Sequence, residues 1–196
     1  KKQQDKDEEK RLTKRLFIAV DLPDSLKNYL YKTTSNLSKK DSDIRVTPAS
    51  NIHITLKFLG EFKISRIEKL SAAIKKTASS FSNFSYTISD KLGAFPGINS
   101  ARILFVSISD SENKIREVFK ELEKNLAILN IKREDRKFIS HITLARIRDK
   151  KDITDIIKDV KICYERKLDC SKLTLFESIL KKTGAEYVIL EEFDLK

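Results

Sequence analysis

The chain is short of the residues that would announce several chemistries. Its 196 residues include two cysteines, Cys163 and Cys170, too few for a disulfide framework and without metal-ligand partners at useful spacing. Both read as free thiols of a reducing compartment. No apolar run approaches the roughly 18 residues that a membrane-crossing helix needs. The opening KKQQDKDEEKRLTK is not followed by the apolar core of a secretory signal. A soluble, cytoplasmic protein without membrane association is expected. Histidine is equally scarce, with His53 and His141 as its whole complement.

Charge is plentiful. Forty lysines and arginines against 29 acidic residues leave a net charge of +11, which favours a polyanionic partner. Lysines fall along nearly every expected helix, however, so part of this charge reads as a solvated face, and charge alone does not choose nucleic acid. The length suits one sizeable domain or two intimately packed lobes. Residues 1–14, almost all polar and without an apolar period, read as a disordered charged leader, and 15–196 as a single domain.

Within that domain RLFIAVDLP (15–23) has the pattern of a strand stopped by Pro23, and SLKNYLYKTTSNL (25–37) places apolar residues at helical spacing. A loop around Pro48 leads into a strand ending at Gly60, then a helix over 64–81. Strand patterns at 84–95 and 101–109 flank the turn PGINS, and an amphipathic helix covers 112–129. A strand at 138–146, a short helical pattern near 152–159 and strands at 172–180 and 186–193 complete the chain. The long buried runs of a doubly wound parallel sheet are missing, so the expected class is α+β with largely antiparallel sheet.

What stands out is a repeat. The tetrapeptide HITL occurs in NIHITLKFLG (51–60) and again in HITLARIR (141–148), and the two copies contain both histidines. Each copy follows a strand–helix order, which points to two related lobes about a pseudo-two-fold axis, with both imidazoles facing one cleft. On a strand, alternation turns Ile52, Ile54 and Leu56 to the core and His53, Thr55 and Lys57 to the other face. In the second copy Ile142 and Leu144 form the core pair, and His141 shares the opposite face with Thr143.

Two facing imidazoles can take and give a proton near neutral pH, each contributing roughly 10²–10⁴ in rate. Hydroxyls and nearby cations would hold non-bridging phosphate oxygens. A single strand histidine would read as structural; its duplication in an identical tetrapeptide favours catalysis. Without Asp, Glu or Cys at ligand spacing the pair makes a poor metal set. Neither cysteine lies near the HITL strands, which sets nucleophilic thiol catalysis aside.

These motifs, with RLFIAVDLP at the start, LGAFP (92–96), DRKFISHITLARIR and the C-terminal LTLFES and GAEYVILEEF, resemble the two-histidine (2H) phosphoesterases. Within them the chain is most similar to the LigT-like RNA 2′,3′-cyclic phosphodiesterases, also called 2′-5′ RNA ligases. The resemblance runs from about residue 15 to the end. It implies a bilobal α+β LigT-like fold with flanking helices and a central cleft, no cofactor and no metal. It also implies hydrolysis of RNA 2′,3′-cyclic phosphate ends to 2′-phosphomonoesters, and a monomer is the separate expectation for the chain. His53 and His141 carry over as the catalytic pair, with His53 taken as the acid at O3′ and His141 as the base, although the near-symmetry of the motifs leaves the opposite assignment open.

Thr55, Thr143 and Arg146 become phosphate ligands under this resemblance, with a plain surface role as the alternative for Arg146, and Lys57 is a further candidate by its parity on the strand, with a solvated cation as the alternative. Strict alternation puts Arg146 opposite His141, so it reaches the cleft only where the strand bulges. Phe58 and Phe138 are candidates for base stacking, with plain core packing as the alternative. Arg102 and Arg136 are candidates for holding the RNA backbone. Ser140 departs from similar proteins, which usually have proline before the second histidine. The rival readings are a 2′-5′ oligoadenylate phosphodiesterase, a non-catalytic nucleotide- or RNA-binding module, and a purely structural interaction protein.

Overall fold

The computed structural model describes residues 12–196. The expected leader falls largely outside these residues, and its boundary shifts: Thr13 and Lys14 already belong to the first strand, opposite Lys63 and Phe62. Lys14 also reaches Glu177 at 2.6 Å, so its charge is used in the sheet.

Strand β1 (Thr13–Val20) is followed by helices α1 (Asp24–Thr34) and α2 (Leu37–Lys40), then β2 (Ile44–Val46) and β3 (Ile54–Lys63). Helix α3 (Ile67–Ala78) leads to β4 (Phe84–Phe95) and β5 (Ala101–Ser109). Helix α4 (Lys114–Ala127) precedes β6 (His141–Lys151), α5 (Thr154–Ile157), β7 (Leu168–Cys170), β8 (Lys172–Lys181) and β9 (Gly184–Asp194). The α+β expectation is met, and the long elements lie where periodicity places them. Two short strands, β2 and β7, offer too few residues for a pattern. The second HITL strand starts at His141 rather than 138, and β3 runs three residues past Gly60. Gly60 takes φ 66° and bends the strand without ending it, so pairing with β1 continues through Glu61 and Phe62.

Every paired strand is antiparallel, in the order β7-β4-β5-β6-β3-β1-β8-β9, with β2 added to β6. Two half-sheets are visible in this order, β3-β1-β8-β9 and β6-β5-β4-β7. They are joined between β3 and β6 by one residue pair, Ile54 with Ile142. Continuing that register by one residue each way sets His53 against Thr143 and Thr55 against His141. The pseudo-two-fold axis passes through this isoleucine pair, and the two motifs meet there head to head.

One face of the sheet carries the main core. Leu16, Ile18 and Val20 of β1, Ile54, Ile142, Leu144, Leu173 and Leu175 pack there under the helices, all nearly inaccessible. Buried positions recur at helical spacing in α4 (Ile115, Val118, Leu122, Leu126) and α3 (Leu70, Ile74). Helix α1 leaves β1 and packs near β6, whereas α4 leaves β5 and packs against α3 beneath the other half-sheet. Each half thus sends its first helix across to the other, and one continuous core locks both lobes. The opposite, concave face holds a small cluster of Phe17, Ala19 and Phe176, against which Tyr187 rests.

Both HITL strands break their alternation at the same place. Thr55 pairs with Ala19, but Lys57 pairs with Ile18, so Leu56 is an extra residue. Thr143 pairs with Phe105 and Ala145 with Leu104, so Leu144 is the extra residue of the second copy. Two equivalent β-bulges therefore follow the two His-x-Thr triplets.

Gly93 faces Phe105 across β4 and β5, and a Cβ at Gly93 would lie 2.5 Å from that ring. Since Phe105 packs on His141, this glycine governs how close the ring can come. Gly93→Ala is expected to lower stability by about 1–3 kcal/mol through overpacking, measured by denaturant unfolding. Unchanged stability would show that Phe105 can yield without cost.

Candidate active site

The two histidines approach the same cavity, of about 370 Å³, on the concave face. His53 precedes β3 after a 3₁₀ turn at Ala49–Asn51, and His141 opens β6. Each ring is held in the same way. His53 Nδ1 lies 2.8 Å from the carbonyl of Asn51, and His141 Nδ1 lies 2.7 Å from the carbonyl of Ile139. A carbonyl only accepts, so both rings carry their proton on Nδ1 and present Nε2 as the working nitrogen. In both cases the carbonyl belongs to the residue two positions before the histidine, a further sign of the repeat.

Aromatic rings fix the imidazole planes. Phe17 stands 4.8 Å from the His53 ring and Tyr187 5.4 Å; Phe95 and Phe105 stand 5.1 and 5.2 Å from His141. This enclosure has an electrostatic result. Burial strips water from the imidazolium of His53 and, with repulsion from Lys27 and Arg146, outweighs the Asn51 carbonyl and Asp21, so its pKa falls from 6.5 to about 4. His141 is also lowered, first by burial and then by Arg146, against the pull of the Ile139 carbonyl. Both rings are neutral at pH 7 in the empty cleft.

Thr55 and Thr143 line the cavity beside their histidines. Thr55 donates its hydroxyl proton to His53 Nε2 at 2.8 Å. The bulge at Leu144 delivers what strict alternation forbids: Arg146 pairs with Ile103 on the His141 face, lines the cavity and repels a proton on either ring. The equivalent bulge at Leu56 brings Phe58 to the cavity, 5.9 Å from Phe17 and 62% exposed. Phe58 and Arg146 are symmetry-equivalent positions, each five residues after its histidine.

The same bulge corrects the expectation for Lys57. It turns Lys57 off the histidine face, and although the residue borders the cavity, its side chain is 5% exposed with Nζ 2.7 Å from Glu123 Oε1 of α4. That ammonium also donates to the carbonyl of Lys132 at 2.7 Å, while Glu123 accepts from the backbone N–H of Glu134 at 2.7 Å. The pair therefore pins segment 131–140, one wall of the cleft, and is not available as a phosphate ligand. Within this wall Arg136 is exposed and lines the cavity. Phe138 also lines it, but is stacked on Phe119 at 4.1 Å, so one ring face is already covered. Arg102 is not brought to the cavity: its guanidinium donates to the carbonyl of Arg148 at 2.7 Å, out on the surface. Ser140, the departure from proline, uses its carbonyl to accept from Ile108 N–H at 3.2 Å.

Some contributors were not foreseen. Asn51 orients His53 through its carbonyl and ties its own side chain to the carbonyl of Ala185 at 2.7 Å. Tyr187 and Phe17 come from distant strands, and no local pattern marks them. Asn51 alone had a local signal, being two residues before the histidine. Among the described residues no three His, Cys, Asp or Glu side chains gather as a metal ligand set, and no helix is long and apolar enough to cross a membrane.

Two imidazoles presenting Nε2 across a pseudo-dyad, flanked by hydroxyls and a guanidinium, have the chemistry to exchange protons and hold an anion. The comparisons agree with this chemistry. The signature of the LigT like Phosphoesterase family matches the chain twice, over residues 20–105 and 106–187. The chain belongs to that family. It is similar to the RNA 2′,3′-cyclic phosphodiesterase of Methanocaldococcus jannaschii, 28% identical over 185 residues that cover 91% of this chain and 99% of the relative. The protein of the same name from Aeropyrum pernix is 30% identical over 150 residues, 72% and 81% of the two chains. In fold it resembles the crystal structure of Escherichia coli LigT complexed with 3′-AMP, with a TM-score of 0.78, 22% identity and coverage of 94% and 99%.

Removing one member of the Lys57–Glu123 pair leaves the other charge buried. Lys57→Met is expected to cost about 3–5 kcal/mol, whereas Lys57→Met/Glu123→Leu, which removes both charges, costs much less. Denaturant unfolding of the two variants makes the comparison; equal losses would contradict the ion pair.

Proposed function

We propose that this protein hydrolyses 2′,3′-cyclic phosphate ends of RNA to 2′-phosphomonoesters by general acid–base catalysis, without a metal. The observation that carries the reading is the pair of Nδ1-tethered imidazoles presenting Nε2 to one cavity. Water attacks phosphorus, the P–O3′ bond breaks, one imidazole takes the proton of water and the other supplies a proton to O3′. Thr55, Thr143 and Arg146 hold the non-bridging oxygens and stabilise the charge that develops on them.

The asymmetry of the cleft favours one assignment of roles. Phe58, the exposed ring, stands on the His53 side, where it offers a stacking surface for the base. A nucleoside bound there directs its O3′ to His53 and leaves the opposite side of phosphorus to His141. The Nε2 of His141 has no protein hydrogen-bond partner among the described residues and is open to a water molecule. His53 is then the acid and His141 the base. Arg136 is suited to the RNA backbone at the rim, and Phe138 offers its uncovered face to a base.

With a 5′-hydroxyl in place of water the same geometry joins RNA ends through a 2′-5′ linkage: O5′ gives its proton to one imidazole as it bonds to phosphorus, and the P–O3′ bond breaks with a proton from the other. The cleft is complete within one chain, which supports a monomer. The two free thiols, Cys163 exposed and Cys170 buried, accord with the cytoplasm.

His53→Ala and His141→Ala are each expected to lower kcat by about 10²–10⁴ while the fold survives. Adenosine 2′,3′-cyclic phosphate in the presence of EDTA is the substrate for this assay, with the product isomer identified. Formation of the 3′-phosphate, or full activity in either variant, would refute the mechanism. Turnover of 2′-5′ oligoadenylate alone would transfer the pair to that reaction.

The pH profile is a second test. Catalysis in these roles needs His53 charged and His141 neutral, the minor microstate of the singly protonated pair because burial lowers His53 more strongly, and its population still peaks between the two pKa values of the free protein. With both lowered from 6.5, one to about 4, the kcat/KM bell is expected to have both limbs on the acid side of 6.5. An anionic phosphate between the rings raises both pKa values, so the kcat profile lies at higher pH. Limbs of kcat/KM above 6.5 would contradict the desolvated pair.

A further inference from the structure

Strand β2 fills the edge of β6 just where β3 and β6 part. Its three residues pair without a slip, Ile44 with Ile147, Arg45 with Arg146 and Val46 with Ala145. Ile44, Ile147 and Ala145 are buried and Val46 packs on the same core, so Arg45 and Arg146 project together from the opposite, cleft face. Directly opposed residues of an antiparallel pair have Cβ atoms about 4.5–5.5 Å apart, and like charges at such positions repel.

Neither arginine has an ion-pair partner among the described residues, although acids are close in sequence. Asp43 is engaged by Lys151 at 2.7 Å and Arg148 at 3.8 Å, and Asp41 by Lys151 at 2.9 Å. The local carboxylates thus serve other cations, and the Arg45–Arg146 pair is left without a counter-charge at the mouth of the cavity. Arg146 and Thr47, two residues from Arg45 on the same face, both line that cavity. The cleft is therefore continuous with the rim that carries Arg45.

We propose that Arg45 and Arg146 together form a second anion subsite, which takes the phosphodiester preceding the terminal nucleotide of an RNA substrate. This rests on the function proposed above and extends it from a cyclic nucleotide to a polynucleotide end. Arg146 serves the reacting phosphate from one side and shares the next phosphate with Arg45, carried on the neighbouring strand β2. Binding of that phosphate relieves the repulsion between the two cations, and planar guanidinium donors suit its non-bridging oxygens. The subsite gives the enzyme a preference for oligonucleotides over mononucleotides.

The experiment measures kcat/KM for adenosine 2′,3′-cyclic phosphate and for a dinucleotide with the same cyclic end, over a range of salt concentration, in the native chain, Arg45→Ala and Arg45→Lys. The native chain is expected to favour the dinucleotide. Arg45→Ala is expected to cost the dinucleotide about tenfold more than the mononucleotide, the scale of one hydrogen bond to a charged group. It should also flatten the log–log salt dependence for the dinucleotide by about 0.7, one single-strand phosphate contact, whereas Arg45→Lys keeps the slope. Equal losses on both substrates, or an unchanged slope, would overturn the subsite. If the native chain turns over neither substrate, the proposed activity fails by itself, and the subsite is then decided by affinity for a dinucleotide ending in a 2′-phosphate against adenosine 2′-phosphate. A loss of dinucleotide affinity in Arg45→Ala supports it and no difference overturns it.

Discussion

The whole site depends on one antiparallel contact, the pairing of Ile54 with Ile142. Because it is the only residue pair between β3 and β6, it fixes the register of the two half-sheets at the point where both HITL motifs cross. Their isoleucines seal the core, and alternation obliges the histidines and threonines to emerge together on the other side. A slip of one residue would send an imidazole into the core and an isoleucine into the cleft. The penalty for such a slip, in buried polar and exposed apolar groups, explains how so small a contact specifies so much. The helices exchanged between the halves reinforce it, since neither lobe has a core of its own.

The backbone repeats, and the side chains depart from the repeat just past the two His-x-Thr triplets. Both strands bulge one residue after the His-x-Thr triplet, and the bulges exchange the faces of the next two positions. In the first copy these are Lys57, sent inward to Glu123, and Phe58, sent out to the cleft. In the second they are Ala145 and Arg146. A near-symmetric scaffold thereby acquires an aromatic surface beside one histidine and a guanidinium beside the other. That difference suits a substrate with a base at one end and charge at the other.

The sequence made the long elements, the α+β class, the lobed repeat and the convergence of the two His-x-Thr triplets on one cavity legible, because each rests on periodicity or on an exact duplication. The local departures were hidden. Lys57 and Arg146 exchange their expected places through bulges that no periodic pattern announces, since Leu56 and Leu144 are ordinary strand residues. Arg45 was invisible as a partner of Arg146 because β2 is only three residues long and its pairing is entirely non-local. Arg102 illustrates the converse: a cation in a strand near the site, whose side chain the surface retains.

Electrostatically the cleft is a desolvated, positively flanked cavity lined by two neutral imidazoles. Burial, more than any specific partner, keeps them neutral, and the same burial would strengthen every contact to a phosphate under the proposed function. What ties the fold to the proposed chemistry is the state of the two rings, both Nδ1–H tautomers directed at one cavity. The most direct measurement is long-range ¹H–¹⁵N correlation of the imidazole nitrogens, in the free protein and through a titration with adenosine 2′-phosphate. Two Nδ1–H tautomers are expected in the free state, with perturbation of both Nε2 resonances by a single equivalent of ligand. An Nε2–H tautomer at either residue, or a ligand felt by one histidine alone, would contradict it.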